Sequence, residues 1–170
     1  MVTIKDIPTS LVWSFTHLVP GTFKRNKKDF AHHDYPILAP LPTAKTKTQP
    51  IEPQPSEGPF IYFVVDAAEQ LCYVGKSEEE SVVKRWIRPG NGGPTTHYWT
   101  HSTKSGGSVF NIADGLRRAQ GPYHLHATNL EKVLALFGKQ IGVHATMPAE
   151  DALAVVESYL IREMRPIWNR

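Results

Sequence analysis

The stretch Pro59-Phe-Ile-Tyr-Phe-Val-Val65, followed by Asp66-Ala-Ala-Glu-Gln70 and Leu71-Cys-Tyr-Val74, decides the fold of this 170-residue chain. The outer two pieces are apolar and rich in β-branched residues, and the piece between them is short and polar, so the stretch predicts a β-hairpin. Both faces of each strand are mostly apolar, which indicates a sheet covered by helices on both sides. Tyrosines in such strands are usually core residues, and taken singly Tyr62 and Tyr73 are open to that interpretation.

Two helices downstream of the hairpin are predicted from capping boxes, in which a Ser or Thr is followed three residues later by Glu. Ser77 with Glu80 predicts the start of the first helix, and Thr128 with Glu131 predicts the start of the second. The apolar faces that we expect in the core are Val82, Val83, Trp86 and Ile87 in the first helix and Val133, Leu134, Leu136 and Phe137 in the second.

The last predicted helix carries one carboxylate in an apolar stripe. Pro148 is suited to its first turn, and Pro166 stops it. Glu157 lies one turn after Leu153, inside that stripe, and a carboxylate in apolar surroundings is costly without compensation. A raised pKa, a basic partner or a metal ion could compensate it, or the side chain bends outward at the end of a groove. The apolar face of the helix consists of Leu153, Val156, Leu160, Ile161 and Met164.

A third strand is predicted over Tyr123–Ala127, where His124 and His126 alternate and share one face. We expect both imidazoles to have a packing role there. The long segment from Pro89 to Ser108 is rich in Gly, Thr, Ser and His and is predicted to be an irregular loop.

In this order and spacing, the motifs resemble those of the GIY-YIG nuclease superfamily, over about residues 58 to 170. The matched elements are Phe60-Ile61-Tyr62, Tyr73-Val74-Gly75, Lys76, Arg85, Glu157 and Asn169. Phe60 replaces the glycine of the first motif, and Arg85 lies about two residues further from Gly75 than the family pattern has it. Pro89 stands where the family usually has a tyrosine or histidine, and the residues that could replace it are His97, Tyr98 and His101.

The resemblance implies an α/β content of the α+β type: a small, three-stranded, mainly antiparallel sheet flanked by helices. The nuclease-like domain would span residues 58–170. Residues 1–57 would form an N-terminal extension that ends in a proline-rich linker, since eight of the fourteen prolines precede residue 58.

The resemblance also implies a metal-dependent endonuclease that hydrolyses phosphodiester bonds in DNA. Glu157 would bind Mg²⁺, with Mn²⁺ able to substitute, and Arg85 would bind the scissile phosphate. Tyr62 or Tyr73 would be the general base; a free tyrosine has a pKa near 10, which Lys76 and the metal would lower. Asn169 would orient the site or hold the last helix against the sheet.

Composition is compatible with a DNA partner, because the net charge is +3 and the pI is about 9.0. The densest basic run, Lys24–Lys28, is either a phosphate-contacting arm or a solvated loop. The basic residues that we assign to DNA binding are Lys24, Arg25, Lys27, Lys28, Arg88, Arg117 and Arg118. Before that run, the apolar stretch Ile7–Val19 could pack on the nuclease core or on a second subunit.

The single cysteine, Cys72, cannot form an internal disulfide and suits a reducing cytoplasm. No segment of the sequence has the length and hydropathy of a membrane span, so no membrane association is expected. A sequence-specific enzyme similar to type II restriction endonucleases is favoured, acting as a homodimer or homotetramer. The alternatives are a structure-specific repair, phage or mobile-element nuclease, and a nucleic-acid-binding module with impaired catalysis.

Overall fold

The computed structural model describes residues 2–15, 17–22, 34–39, 58–78, 82, 88–90, 93–96, 121–144 and 146–169, with residues 15, 17–22, 34–39, 88–90 and 93–96 described for their backbone alone. In chain order the strands are β1 (Ser10–Phe15), β2 (His17–Thr22), β3 (Asp34–Ala39), β4 (Phe60–Asp66), β5 (Leu71–Ser77), β6 (Arg88–Gly90), β7 (Gly93–Thr96) and β8 (Tyr123–Asn129). A 3-10 turn, Ile4–Asp6, precedes them, and the helices are α1 (Leu130–Ile141) and α2 (Ala149–Met164).

The central sheet has four strands in the order β1-β8-β4-β5, and every neighbouring pair is antiparallel. The prediction of an α+β protein with an antiparallel sheet is confirmed, but the prediction of three strands is wrong. The fourth strand, β1, comes from the N-terminal extension and pairs with β8. Burial of two of its side chains holds the strand there: Val12 is 0% exposed and Trp13 is 2% exposed. The apolar stretch of the extension therefore packs on this chain's own sheet. The division into 1–57 and 58–170 stays a prediction.

The predicted hairpin is present as β4 and β5, which pair from Phe60 opposite Ser77 to Val65 opposite Leu71. Its turn is stabilised by Asp66, whose Oδ1 accepts hydrogen bonds from the backbone N–H groups of Ala68 (2.9 Å) and Gln70 (2.8 Å). The predicted third strand is also present, as β8.

The two described helices lie close to where the sequence predicts them. Asn129, and not Thr128, caps α1, because its side chain accepts a hydrogen bond from the backbone N–H of Lys132 at 3.2 Å. Leu136, predicted to be core, is 47% exposed, so that prediction is wrong: α1 buries a narrower stripe around Val133. Pro148 occupies the N-cap position of α2. Of the predicted first helix, the structure describes Val82, which is helical and buried.

The two faces of the sheet carry separate hydrophobic cores. One face, here called the tyrosine face, holds Tyr62, Val64, Tyr73 and Leu125 together with Trp168. The opposite face, here called the helix face, packs against apolar residues of both helices. Its members include Ile61, Phe63, Val74, Val133, Leu153, Val156 and Leu160.

Two small antiparallel hairpins accompany the central sheet. In one, β2 pairs with β3, and in the other, β6 pairs with β7. Except for Arg88, the second hairpin lies within the segment predicted to be an irregular loop, so that prediction is wrong for residues 89–90 and 93–96. In the parts of the chain described above, no helix has the length and apolar character needed to cross a membrane.

Candidate nuclease site

Tyr62 and Tyr73 lie side by side on the tyrosine face. Their ring centroids are 6.1 Å apart, with the ring planes inclined at 32°. The pairing of β4 with β5 produces this contact, because Tyr62 stands opposite Gly75 and Tyr73 stands opposite Val64, on the same side of the hairpin. Both rings are largely buried, at 6% and 7% exposure. The hairpin therefore brings the two motif tyrosines into one pair.

Gly75 provides the space that the Tyr62 ring occupies. A Cβ atom at position 75 would lie 2.5 Å from Cζ of Tyr62 and 2.6 Å from its hydroxyl oxygen. Ordinary carbon contacts are about 3.5–4.0 Å, so a side chain here cannot coexist with the ring in its present position. The glycine of the second motif is thus explained by packing against the tyrosine of the first.

Asn169 binds the second motif directly. Its side-chain oxygen accepts a hydrogen bond from the backbone N–H of Val74 at 2.8 Å, and its amide nitrogen donates to the carbonyl oxygen of Val74 at 2.7 Å. One side chain therefore pairs with both backbone groups of Val74 at the outer edge of β5, as a neighbouring strand would. This contact fits both roles expected for Asn169, because it fixes the second motif and ties the segment after α2 to the sheet, so the choice between them stays a prediction.

The residues before Asn169 follow the same strand edge. The backbone N–H of Trp168 donates to the carbonyl oxygen of Cys72 at 2.8 Å, and that of Ile167 donates to Leu71 at 3.4 Å. Trp168 is buried in the core of the tyrosine face, where its ring centroid is 5.2 Å from that of Tyr123. The end of the chain therefore closes the edge of the sheet beside the tyrosine pair.

Two other ionisable groups near this core are held neutral. Burial raises the pKa of the Cys72 thiol to about 12, with a smaller contribution from the Asp66 carboxylate. Burial is also the main cause that raises the pKa of Tyr123. Neither group is therefore suited to act as a nucleophile or base near neutral pH.

Glu157 lies on α2, one turn after Leu153, and is half-buried. It is not an isolated charge. The helix packs against β5 and α1 on the helix face of the sheet, whereas Tyr62 and Tyr73 belong to the core of the tyrosine face, so the described contacts do not bring Glu157 together with the tyrosine pair. Within the described ranges, no group of three or more His, Cys, Asp or Glu side chains could hold a metal ion. A single carboxylate suits Mg²⁺ in a site completed by water and substrate phosphate, and it does not suit a metal held by protein ligands alone.

Lys76 stands in register with Ile61, whose side chain belongs to the core of the helix face. By strand alternation it falls on the opposite face from the tyrosine pair. Its expected effect on a tyrosine pKa stays a prediction.

The remaining predicted site residues lie outside the residues that the structure describes, with one exception. Arg88 begins β6 opposite Thr96, and its backbone alone is described. The others are Lys24, Arg25, Lys27, Lys28, Arg85, His97, Tyr98, His101, Arg117 and Arg118.

Comparison with known proteins gives no match: no family model, no curated protein and no solved structure is similar to the chain. The resemblance to GIY-YIG nucleases therefore stays a prediction from the sequence motifs.

Proposed function

We propose that this chain is a metal-dependent DNA endonuclease of the GIY-YIG type. The observation that carries the proposal is the tyrosine pair, because the two motif tyrosines meet on one face of an antiparallel hairpin. Gly75 leaves the space that the Tyr62 ring occupies, and Asn169 binds the backbone of Val74, the residue between Tyr73 and Gly75. The first and second motifs are thus in contact with each other, and the closing asparagine is bound to the second motif.

In this proposal one of the two tyrosines is the general base that takes a proton from the attacking water. The pair is well suited to hold a hydroxyl in a fixed position, because both rings are packed against each other and against the core. Asn169 is a positioning residue, since it fixes the backbone of Val74 next to Tyr73. Arg85 would bind the scissile phosphate through its planar guanidinium group.

Glu157 would hold the divalent cation, Mg²⁺ or Mn²⁺. When bound, the cation would supply Lewis acidity at the phosphate and charge stabilisation for the leaving oxygen. Glu157 is half-buried on a helix that packs on the helix face of the sheet, against the strand that also carries Tyr73.

Within this class we favour a sequence-specific enzyme similar to type II restriction endonucleases, acting as a dimer or tetramer so that both strands of a symmetric site are cut. A repair, phage or mobile-element nuclease is the alternative within the class. The basic run Lys24–Lys28 falls between β2 and β3 in the chain and is the first candidate for phosphate contacts outside the catalytic centre.

The test is incubation of methylation-free supercoiled plasmid with the purified protein, with Mg²⁺ or with EDTA. The variant Glu157→Ala removes the proposed metal ligand, and Glu163→Ala on the same helix is its matched control, because Glu163 pairs only with the neighbouring Arg162 in the described structure. Wild type and Glu163→Ala are expected to cut with Mg²⁺, whereas Glu157→Ala and the EDTA sample are expected not to cut. Cleavage by Glu157→Ala at the wild-type rate would contradict the metal assignment.

A nucleic-acid-binding module is the second candidate, and the observation that favours it is Pro89. This residue lies in β6 and stands where the family has a tyrosine or histidine. A binding module would shift DNA in a gel without cutting it under either metal condition, whereas the nuclease proposal requires cutting.

A further inference from the structure

The outer side of the two helices carries two exposed apolar side chains. Leu136 on α1 is 47% exposed and Val155 on α2 is 38% exposed, and they are the two exposed large hydrophobic residues among those that the structure describes. Single exposed apolar residues are ordinary on a protein surface, whereas contiguous ones mark interaction sites. Whether these two lie together depends on how the helices run.

The helices lie side by side and run in the same direction. Their first turns line one cavity, to which Leu130 contributes from α1 and Ala149 from α2. Near their other ends, the hydroxyl group of Tyr159 donates a hydrogen bond to Oε1 of Gln140 at 3.0 Å. The beginnings of the two helices are therefore neighbours, and so are the later turns.

This arrangement places the two apolar side chains next to each other. Leu136 precedes Gln140 by one turn, and Val155 precedes Tyr159 by one turn, so each lies on the same side of its helix as the residue that makes the hydrogen bond. Because the helices run in the same direction, Leu136 and Val155 lie at the same level. They form one apolar patch on the α1–α2 face, the name used here for the outer side of both helices.

The exposed side of α2 has a charge at each end of this face. From residue 151 onward, the exposed residues of the helix are Asp151, Val155, Ser158 and Arg162, and their spacing of four, three and four residues makes one stripe. Asp151 and Arg162 are equally far from the midpoint of the stripe, and so are Val155 and Ser158. The stripe is therefore complementary to a second copy of itself that runs antiparallel.

Both charged residues of the stripe have groups left for a partner. Nε of Arg162 is 3.1 Å from Oε1 of Glu163, and its guanidinium carbon lies 5.5 Å from the ring centroid of Tyr159. A guanidinium group has five N–H donors, so the terminal nitrogens remain available. Asp151 makes no ion pair within the described residues. Such charges also complement the helix dipole, so the apolar patch between them is what points to a partner.

We propose that the α1–α2 face is the interface between two copies of this chain, related by a two-fold axis that crosses α2 between Val155 and Ser158. The axis would bring the apolar patches of both copies together and would form two equal ion pairs, each between Asp151 of one copy and Arg162 of the other. The helices have 12 and 16 residues and are about 18 and 24 Å long, so the face is small for a specific interface. We therefore expect a weak dimer, with a dissociation constant on the order of 10 µM.

The proposal gives a surface to the dimer expected above, and it rests on the proposed function only for the purpose of that dimer. It uses neither the tyrosine pair nor Glu157. The oligomeric state is measured without DNA or metal, so failure of this proposal and failure of the nuclease proposal are separate results.

The first test is sedimentation equilibrium of the full chain from about 5 to 500 µM at low salt. Wild type is expected to change from monomer to dimer over this range, and Leu136→Glu and Val155→Glu are each expected to weaken association by about tenfold or more, since both bury an unpaired charge. Ala135→Glu is the matched control, because Ala135 is exposed on α1 but lies outside the one-turn spacing of Leu136 and Gln140. A wild-type protein that stays monomeric at 500 µM, or Glu variants that associate as wild type does, would overturn the proposal.

The second test is charge reversal. Asp151→Arg and Arg162→Asp each place like charges opposite one another twice in the dimer, so each is expected to weaken association by about tenfold or more. The double variant restores both ion pairs and is expected to return to within about threefold of the wild-type dissociation constant. Circular dichroism checks that each variant is folded. If the double variant is folded and associates as weakly as the single ones, the antiparallel arrangement is refuted; if a variant does not fold, the series at positions 136 and 155 still decides.

Discussion

Removal of the Asn169 side chain by Asn169→Ala is expected to loosen the outer edge of the sheet. The change deletes both hydrogen bonds to Val74, at 2.8 and 2.7 Å. A net contribution of about 0.5–1.5 kcal/mol for each bond gives a loss of about 1–3 kcal/mol in the free energy of unfolding. The change would also free the backbone beside Tyr73. Under the nuclease proposal, the cleavage activity of the variant is therefore expected to fall further than its fraction of folded protein.

Asn169→Asp tests the same geometry with a nearly isosteric side chain. The carboxylate still accepts from the Val74 N–H, but its second oxygen faces the Val74 carbonyl oxygen, and this repulsion raises the pKa of the new carboxyl. Because the pKa is raised in the folded state, the stability deficit relative to wild type is expected at neutral pH. It shrinks as pH falls through that pKa and the carboxyl becomes protonated.

The assay combines urea denaturation with hydrogen exchange of the Val74 amide. Gln140→Ala is the control, since it removes one exposed hydrogen bond to Tyr159 and is expected to change stability by no more than about 0.5 kcal/mol. The reasoning is refuted if Asn169→Ala unfolds at the wild-type urea concentration and the Val74 amide keeps its protection.

Three further predictions concern packing and pH. Gly75→Ala is expected to displace the Tyr62 ring and to cost about 1–3 kcal/mol, measured by denaturation; unchanged stability and tyrosine fluorescence would contradict the close approach. Leu153→Ala is expected to cost about 2–5 kcal/mol, whereas Leu136→Ala, at a 47% exposed position, should stay within about 0.5 kcal/mol; equal effects would contradict the assigned core. Because the pKa of His126 in the folded state lies below its ordinary value of 6.5, the free energy of unfolding should fall as pH decreases below about 6.5. If the free energy of unfolding of His126→Gln falls as steeply with decreasing pH as that of wild type, His126 is not the cause.

The hairpin at the centre of the fold could be predicted from the sequence because its signal is local. Pro59 to Val65 is a continuous apolar run, and Asp66–Gln70 supplies a polar turn directly after it. The strand β1 could not be placed in the sheet in the same way. Its apolar pattern is patchy, and its partner β8 is more than a hundred residues further along the chain, so nothing local specifies the pairing.

Small errors at helix α1 have the same origin. Thr128 and Asn129 are both good N-caps, and the choice between them depends on where β8 ends: Asn129 is its last residue and directly precedes the helix. Leu136 follows the apolar spacing of the helix, but no neighbour covers it in the described structure. The sequence pattern could define the helix, and tertiary packing decided which of its apolar residues are buried.

The candidate site was predictable in part. The sequence motif could select Tyr62 and Tyr73, and strand alternation after pairing explains why they meet. The contact between Asn169 and Val74 spans 95 positions in the sequence and has no local signal. The contacts of His124 with Ser14 and of His126 with Thr9 span 110 and 117 positions and have no local signal either, and the packing role expected for the two histidines stays a prediction.

The most direct test of the central claim, that the tyrosine pair performs phosphodiester chemistry, is the single-turnover cleavage rate of Tyr62→Phe and Tyr73→Phe with Mg²⁺. Tyr159→Phe is the control, because this tyrosine lies on α2 and its hydroxyl donates to Gln140 at an exposed position. The proposal predicts a loss of about 10²-fold or more in at least one of the pair, with unchanged DNA binding and an unaffected control. Full cleavage rates in both Tyr62→Phe and Tyr73→Phe would contradict it.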